Sequence, residues 1–286
     1  LVVPFGAGTS ITKLPSHWPV VPRELVGPPR RMPVGVTHSV PPLNGSGLPW
    51  DMLYIRTPSR LPRAGEDWIV KPKVAEALGV PVDEIEVASR LFMFETMYLD
   101  PWTRKCIEDY CREVTEKEFD PDFVARINGL DDADHLVRVH SATEYWAAAL
   151  GFYPGVAFTM PLDPRSRLTA PKYNPPRTFT PQGAVGMGGA CTCIYPAETP
   201  GGYQLLGRTP VPIWDTESRY DIFGGEIVLF RAGDRNRYIP VSQEEFEEVE
   251  ARVKEGTYVY NVVEYQKFSL GQYKAWVSTV DAEQRF

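Results

Sequence analysis

From Tyr145 onward, glycine and proline cut the chain into short runs of Val, Ile, Phe, Tyr and Thr, one run every ~8–12 residues, the spacing of an all-β barrel or sandwich. Long helices do not survive such breaks, because proline removes a backbone donor and glycine loses the most conformational entropy on ordering. The runs at 184–187, 191–195, 203–206 and 227–231 read as strands. Ser242 and Glu245 have the spacing of a capping box, so a charged helix is expected from there to about Lys254. A returning strand over 258–265 and a closing helix over 270–277 complete this half.

The preceding stretch has a different character. Residues 71–80 suggest a short helix, and 84–98 alternates enough for one or two strands. Ile107, Tyr110, Cys111 and Val114 recur at i, i+3, i+4 and i+7, the stripe of an amphipathic helix over roughly 103–117. Asp120 and Pro121 read as the cap and first-turn proline of a second helix through Ile127, stopped by Asn128-Gly129. A third helix starts near Asp131 or Asp132 and ends around His140. Earlier still, pairs such as Pro28-Pro29 and Pro41-Pro42 exclude regular helix and central strand. Trp18, Leu48, Trp50, Met52 and Tyr54 suit an arm that covers a surface, its own domain's or a partner's. The expected fold is α+β: a proline-rich extended arm over 1–65, an α/β domain over 66–150, and a β-barrel domain with a C-terminal helix over 151–286.

Composition narrows the function. A formal charge of -7 with no basic stripe argues against nucleic acid, which is held by clustered Lys and Arg. No apolar run approaches the ~18 residues of a membrane span, and the first five residues are too short for a signal-peptide core. A soluble, cytoplasmic chain is expected. Four cysteines (Cys106, Cys111, Cys191, Cys193) make a poor disulfide framework for 286 residues and suit a reducing compartment. The C-x-C of Cys191 and Cys193 has no second pair to complete a zinc site, so buried thiols are expected and no metal.

The densest chemistry lies between Gly151 and Pro210: G-F-Y-P-G (151–155), L-D-P-R (162–165), K-Y-N-P-P-R-T (172–178), P-G-G-Y-Q (200–204) and G-R-T-P (207–210). Such glycines and prolines can turn barrel corners, or they can bring backbone close to a ligand. The polar residues among them favour a site. Lys172, Tyr173, Asn174, Arg177, Gln204 and Arg208 supply donors for a carboxylate, a ureido carbonyl or an amide. Gly201, Gly202 and Tyr203 would line the same site. His140, beside Ser141, could accept a proton or cap the helix before it.

These motifs, with H-S-x-x-E-Y (140–145), P-R-T-F-T-P (176–181) and the W-D at 214–215, resemble the allophanate hydrolase subunit 1, or KipI-type, carboxyltransferase family. K-Y-N-P-P-R-T and I-N-G-L-D (127–131) are similar to the urea carboxylase branch, whose corresponding region moves a carboxyl group from carboxybiotin to urea. The resemblance implies a cyclophilin-like barrel and a site shared with a homologous larger subunit, of the allophanate hydrolase subunit 2 kind. It implies biotin carried by a biotin carboxylase/carrier partner, since no Met-Lys-Met biotinylation site or Gly-rich ATP loop is present here. In that reading His140, Lys172 and Arg208 are catalytic, and Tyr173, Asn174, Arg177, Gly201, Gly202, Tyr203 and Gln204 bind a small urea, amide or guanidine-like substrate. Two further activities occur in the family: ATP-dependent lactam opening of the 5-oxoprolinase type, and regulation of a kinase.

Overall fold

The computed structural model describes residues 79–217, 219–264 and 266–286. The proline-rich arm and all but the last two residues of the 71–80 helix lie outside them. Among the described residues the strands are β1 (Glu86–Ala88), β2 (Leu91–Tyr98), β3 (Tyr145–Leu150), β4 (Ala157–Pro161), β5 (Ala184–Gly188), β6 (Cys191–Ile194), β7 (Gln204–Arg208), β8 (Arg235–Pro240), β9 (Val262–Val263) and β10 (Lys267–Ser269). The helices are α1 (Pro101–Glu113), α2 (Asp120–Ile127), α3 (Ala133–Ser141), α4 (Gln243–Glu255) and α5 (Leu270–Val277).

Seven strands in the order β7-β5-β6-β4-β3-β8-β2 close into the expected barrel, because β2 pairs back onto β7 at Met97↔Arg208 and Tyr98↔Gly207. The β2–β8 pair is parallel and the other barrel neighbours are antiparallel. β9 adds to the start of β2, while β1 and β10 form a separate two-stranded sheet. Phe92, Phe94, Tyr145, Val185, Ile194 and Tyr238, from five different strands, meet in one buried cluster that fills the interior. β2 and β3, which fall within 66–150, belong to the same barrel as the later strands.

The helices cover the barrel with apolar faces. α1 is capped by Asp100, whose carboxylate accepts from the amides of Trp102 and Thr103. It buries Thr103, Cys106, Ile107 and Tyr110, so its stripe begins one turn earlier than the sequence reading; Val114 is the C-cap and is 47% exposed. α3 starts at Asp132, which caps His135, and packs with α2 on Leu168, Met187 and Leu206. The Ser242–Glu245 capping box is formed, and Gly256 ends α4 in the left-handed region at φ 72°.

Three strands escape the sequence reading. β8 carries Arg235, Asn236 and Arg237, so it lacks the apolar alternation of a half-buried strand although Asn236 and Tyr238 are buried. β3 is buried on both faces, Tyr145 and Ala147 in one cluster and Trp146 and Ala148 in another, which erases alternation. β4 follows the same pattern, with four of its five residues buried. Conversely, the run at 227–231 is no strand: it makes a single bridge, Trp214↔Val228, and lies as irregular cover that buries Leu229 and Phe230. Among the described residues of the 258–265 run, only Val262–Val263 pairs as strand.

Gly207 makes the closure possible. A Cβ there would stand 2.6 Å from the Met97 carbonyl oxygen and 2.9 Å from the Tyr98 Cα, so the seam admits no side chain. Gly207→Ala should lower the free energy of unfolding by about 2–3 kcal/mol, the cost of overpacking against atoms that cannot move aside. Gly202→Ala, whose Cβ meets nothing closer than 3.7 Å, should leave it nearly unchanged. Urea titrations of both variants check this, and equal midpoints would remove the seam from the account.

Candidate functional site

The loops around 171–177 and 200–204 are joined by backbone bridges. The Tyr173 amide donates to the Gly202 carbonyl (2.7 Å), the Arg177 amide to Gly201 (2.8 Å), and the Gly201 amide back to Arg177 (3.0 Å). Beneath them lies a buried polar cluster centred on Asp120 at the start of α2. Its carboxylate has no exposure and accepts from the Leu205 amide (2.6 Å) and, through both oxygens, from the Tyr173 hydroxyl (2.5 and 2.7 Å). The Lys117 ammonium pairs with it and also donates to the Tyr173 hydroxyl (3.1 Å) and Gln204 Oε1 (3.2 Å). Burial, then the Asp120 charge, push the Tyr173 phenol well above its usual range, so it stays protonated and remains a donor.

The remaining donors of the cluster are spent on the loops. Gln204 Nε2 donates to the Pro171 carbonyl (2.6 Å) and the Tyr110 hydroxyl to that of Pro175 (2.7 Å). Arg177 donates to the Tyr203 carbonyl (2.7 Å) and to Thr180, with its guanidinium 4.3 Å over the Tyr173 ring. Lys117, Asp120 and Tyr110 carry no site signal in the sequence; Asp120-Pro121 reads as a cap, but Phe119 is the N-cap and Asp120 turns inward.

Tyr173, Arg177, Tyr203 and Gln204 are therefore brought together, but buried. Lys172 and Asn174, on either side of Tyr173, are exposed, and the Lys172 ammonium lies 5.2 Å over the Tyr203 ring. Gly201 is required by packing: a Cβ there would meet the Tyr195 hydroxyl at 2.5 Å and Thr180 Oγ1 at 2.7 Å. Gly202 has no such neighbour and is half-buried at the rim.

His140 and Arg208 stand elsewhere. His140 is fully buried among Tyr98, Tyr145 and Tyr238, with Nδ1 2.7 Å from the Tyr98 hydroxyl and Nε2 3.1 Å from Thr192 Oγ1. Burial lowers its pKa to about 3, so it is neutral near pH 7 with both ring nitrogens engaged. Ser141 bonds back to the Val137 carbonyl (2.7 Å), not to the imidazole. Arg208 is inserted between α1 and α4: its guanidinium lies 4.9 Å over Trp102 and 5.3 Å over Phe246, pairs with Glu250 (3.2 Å), and donates to the Gln182 carbonyl (2.8 Å). Its contacts hold the barrel seam. The cysteines are free thiols; burial pushes Cys106 up to about 11 and Cys191 to about 12. Among the described residues no three His, Cys, Asp or Glu are grouped to hold a metal, and no helix is long and apolar enough to cross a membrane.

Residues 72–223 match the family model described as the carboxyltransferase domain, subdomain C and D. The chain belongs to this carboxyltransferase domain family. It is similar to the urea amidolyase of Saccharomyces cerevisiae, 32% identical over 218 residues that make up 73% of this chain and 12% of that protein. It is 35% identical over 131 residues to a 5-oxoprolinase subunit of Bacillus subtilis, covering 45% of this chain and 51% of that one. The fold aligns with the crystal structure of the Kluyveromyces lactis urea amidolyase at a TM-score of 0.65 and 32% identity, over 72% of this chain and 13% of that chain. The urea carboxylase of the same yeast gives 0.64 and 30%, over 72% and 18%. This carboxyltransferase domain chain thus spans only 12% of the yeast urea amidolyase and about half of the Bacillus protein.

In this family member His140 is a packing residue with a titration signature. Its folded pKa lies below the ~6.5 of an unfolded histidine, so its contribution to stability is present above pH 6.5 and is lost as pH falls toward 3. Between pH 7 and pH 5 that loss is about 2 kcal/mol. Urea unfolding across this range should show His140→Gln with the shallower pH dependence, and parallel curves would mean that His140 titrates normally.

Proposed function

We propose that this chain is the carboxyltransferase component of a multisubunit, biotin-dependent carboxylase of the urea carboxylase kind, transferring a carboxyl group to the nitrogen of a small urea, amide or guanidine-like substrate. The observation that carries the reading is the alignment with the Kluyveromyces lactis urea carboxylase over 72% of the chain. The donor set suits such a group. Lys172 offers an ammonium for a carboxylate or ureido oxygen, Asn174 an amide able to donate and accept, and Gly202 a rim free of side-chain bulk. Bound carboxybiotin, carried on a biotin carboxylase/carrier partner, would supply the activated carboxyl group.

The chain's own part is to bind and orient. Lys172 opposes negative charge on the carboxyl or ureido oxygen, and Asn174 holds the substrate nitrogen in line. Tyr173, Arg177 and Gln204, enclosed with Asp120, act by holding the loop. Arg208 and His140, engaged at the seam and inside the barrel, are left out of the chemistry. A larger homologous subunit of the allophanate hydrolase subunit 2 kind completes the site over the exposed Lys172 and Asn174.

Lactam opening of the 5-oxoprolinase type has one observation in its favour, the 35% identity to the Bacillus subtilis protein. ATP-dependent transfer of labelled bicarbonate to urea by the assembled enzyme separates the two. Lys172→Ala and Asn174→Ala should each lower carboxyl transfer about 10²-fold, the size of a lost oxyanion donor, with little change in urea midpoint because both side chains are exposed. Full activity in both variants would exclude this surface.

A further inference from the structure

The loop that presents Lys172 and Asn174 is tied down at nearly every other residue. The Pro171 carbonyl accepts from Gln204, the Tyr173 amide donates to Gly202, the Pro175 carbonyl accepts from Tyr110, and Arg177 exchanges two backbone bonds with Gly201. Only the Tyr173 side chain reaches down from between Lys172 and Asn174, and its hydroxyl ends on Asp120. Asp120 in turn accepts from the Leu205 amide of β7, one residue past Gln204, and pairs with Lys117. One carboxylate thus connects the N-terminus of α2, the barrel strand β7 and the centre of the loop.

We propose that Asp120 is a positioning residue: through the Tyr173 hydroxyl and Lys117 it fixes the places of Lys172 and Asn174, and so the rate of the transfer step. This rests on the reading that those two side chains face the reactants. The buried groups leave little room for any other role. Tyr173 donates to Asp120, and Lys117 spends its three donors on Asp120, Tyr173 and Gln204, so neither has a spare proton to offer a substrate. What it supplies is geometry. A loop displaced by about 1 Å costs on the order of 10²-fold in rate when the groups it carries must meet reacting atoms.

The test uses the full chain in its assembled enzyme, with Tyr173→Phe and Asp120→Ala as variants, Asp120→Asn as the conservative comparison, and Lys117→Met as a further variant should Tyr173→Phe or Asp120→Ala fail to fold. Hydrogen exchange is read at the Tyr173 and Arg177 amides and, as an internal control, at Val185 and Ile194 in the β5–β6 pair. Labelled bicarbonate and urea are the probe for kcat and KM. The proposal expects exchange at Tyr173 and Arg177 to rise at least 10-fold with the β5–β6 amides unchanged, and kcat to fall 10- to 100-fold with KM for urea within about 3-fold. Asp120→Asn, which keeps an acceptor for Leu205 and Tyr173, should recover part of the kcat lost in Asp120→Ala. Unchanged exchange at the loop, or an equal rise at all four amides, overturns the proposal, the second because it reports global destabilisation. Loop exchange that rises in variants while kcat stays at the wild-type value also overturns it. A wild-type assembly that carries no label to urea, with the local exchange signature present, would sink the carboxyl-transfer reading and leave the loop anchor standing.

Discussion

A carboxylate removed from water must be met by donors, and Asp120 is met by three kinds: a backbone amide, a phenol and an ammonium. Its oxygens are the point at which three separate parts of the chain agree on position. α2 delivers the carboxylate, β7 offers the Leu205 amide, and the loop after Pro171 contributes Tyr173. Removing the Lys117 ammonium leaves the buried charge without its ion-pair partner, an imbalance that commonly costs about 3–5 kcal/mol. The exposed Lys172 and Asn174 flank Tyr173 above this arrangement, in a loop bridged to its neighbour between Arg177 and Gly201.

The barrel supplies the frame, and its own weak point is the seam between β2 and β7. Gly207 lets the two strands meet, and Arg208, the next residue, reaches between Trp102 and Phe246 to tie α1 and α4 across that seam. The glycine and arginine of the G-R-T-P motif thus close the barrel, whereas K-Y-N-P-P-R-T and P-G-G-Y-Q build the rim. Two motifs that look alike in composition do different work because one lies at a strand junction and the other over a buried carboxylate.

What is legible in the sequence follows from how each element is buried. α3, α4 and α5 carry local signals, a cap at Asp132, the Ser242–Glu245 box and Ser269 before Leu270, and can be read nearly to the residue. β5, β6 and β7 are bounded by glycine and proline and can be read within one residue at their starts. β3 and β8 cannot, since one is apolar on both faces and the other carries charge and amide groups into the sheet. The K-Y-N-P-P-R-T and P-G-G-Y-Q loops stand out as a pair, yet which side chains point outward is not readable: Tyr173, Arg177 and Gln204 have the chemistry of ligand-binding groups and spend it on Asp120, Lys117 and backbone carbonyls. Asp120 itself carries no signal beyond an Asp-Pro pair, which marks helix starts in general.

Membership of the carboxyltransferase domain family limits the chemistry but leaves the group donor to be identified, because the chain spans a small part of the urea amidolyase that it resembles. The measurement that bears most directly on this is native purification of the chain with its partners, followed by mass spectrometry and a streptavidin blot. The account predicts a larger homologous subunit together with a biotinylated carboxylase. Recovery of the larger subunit in an assembly that opens 5-oxoproline with ATP and contains no biotinylated protein would contradict it.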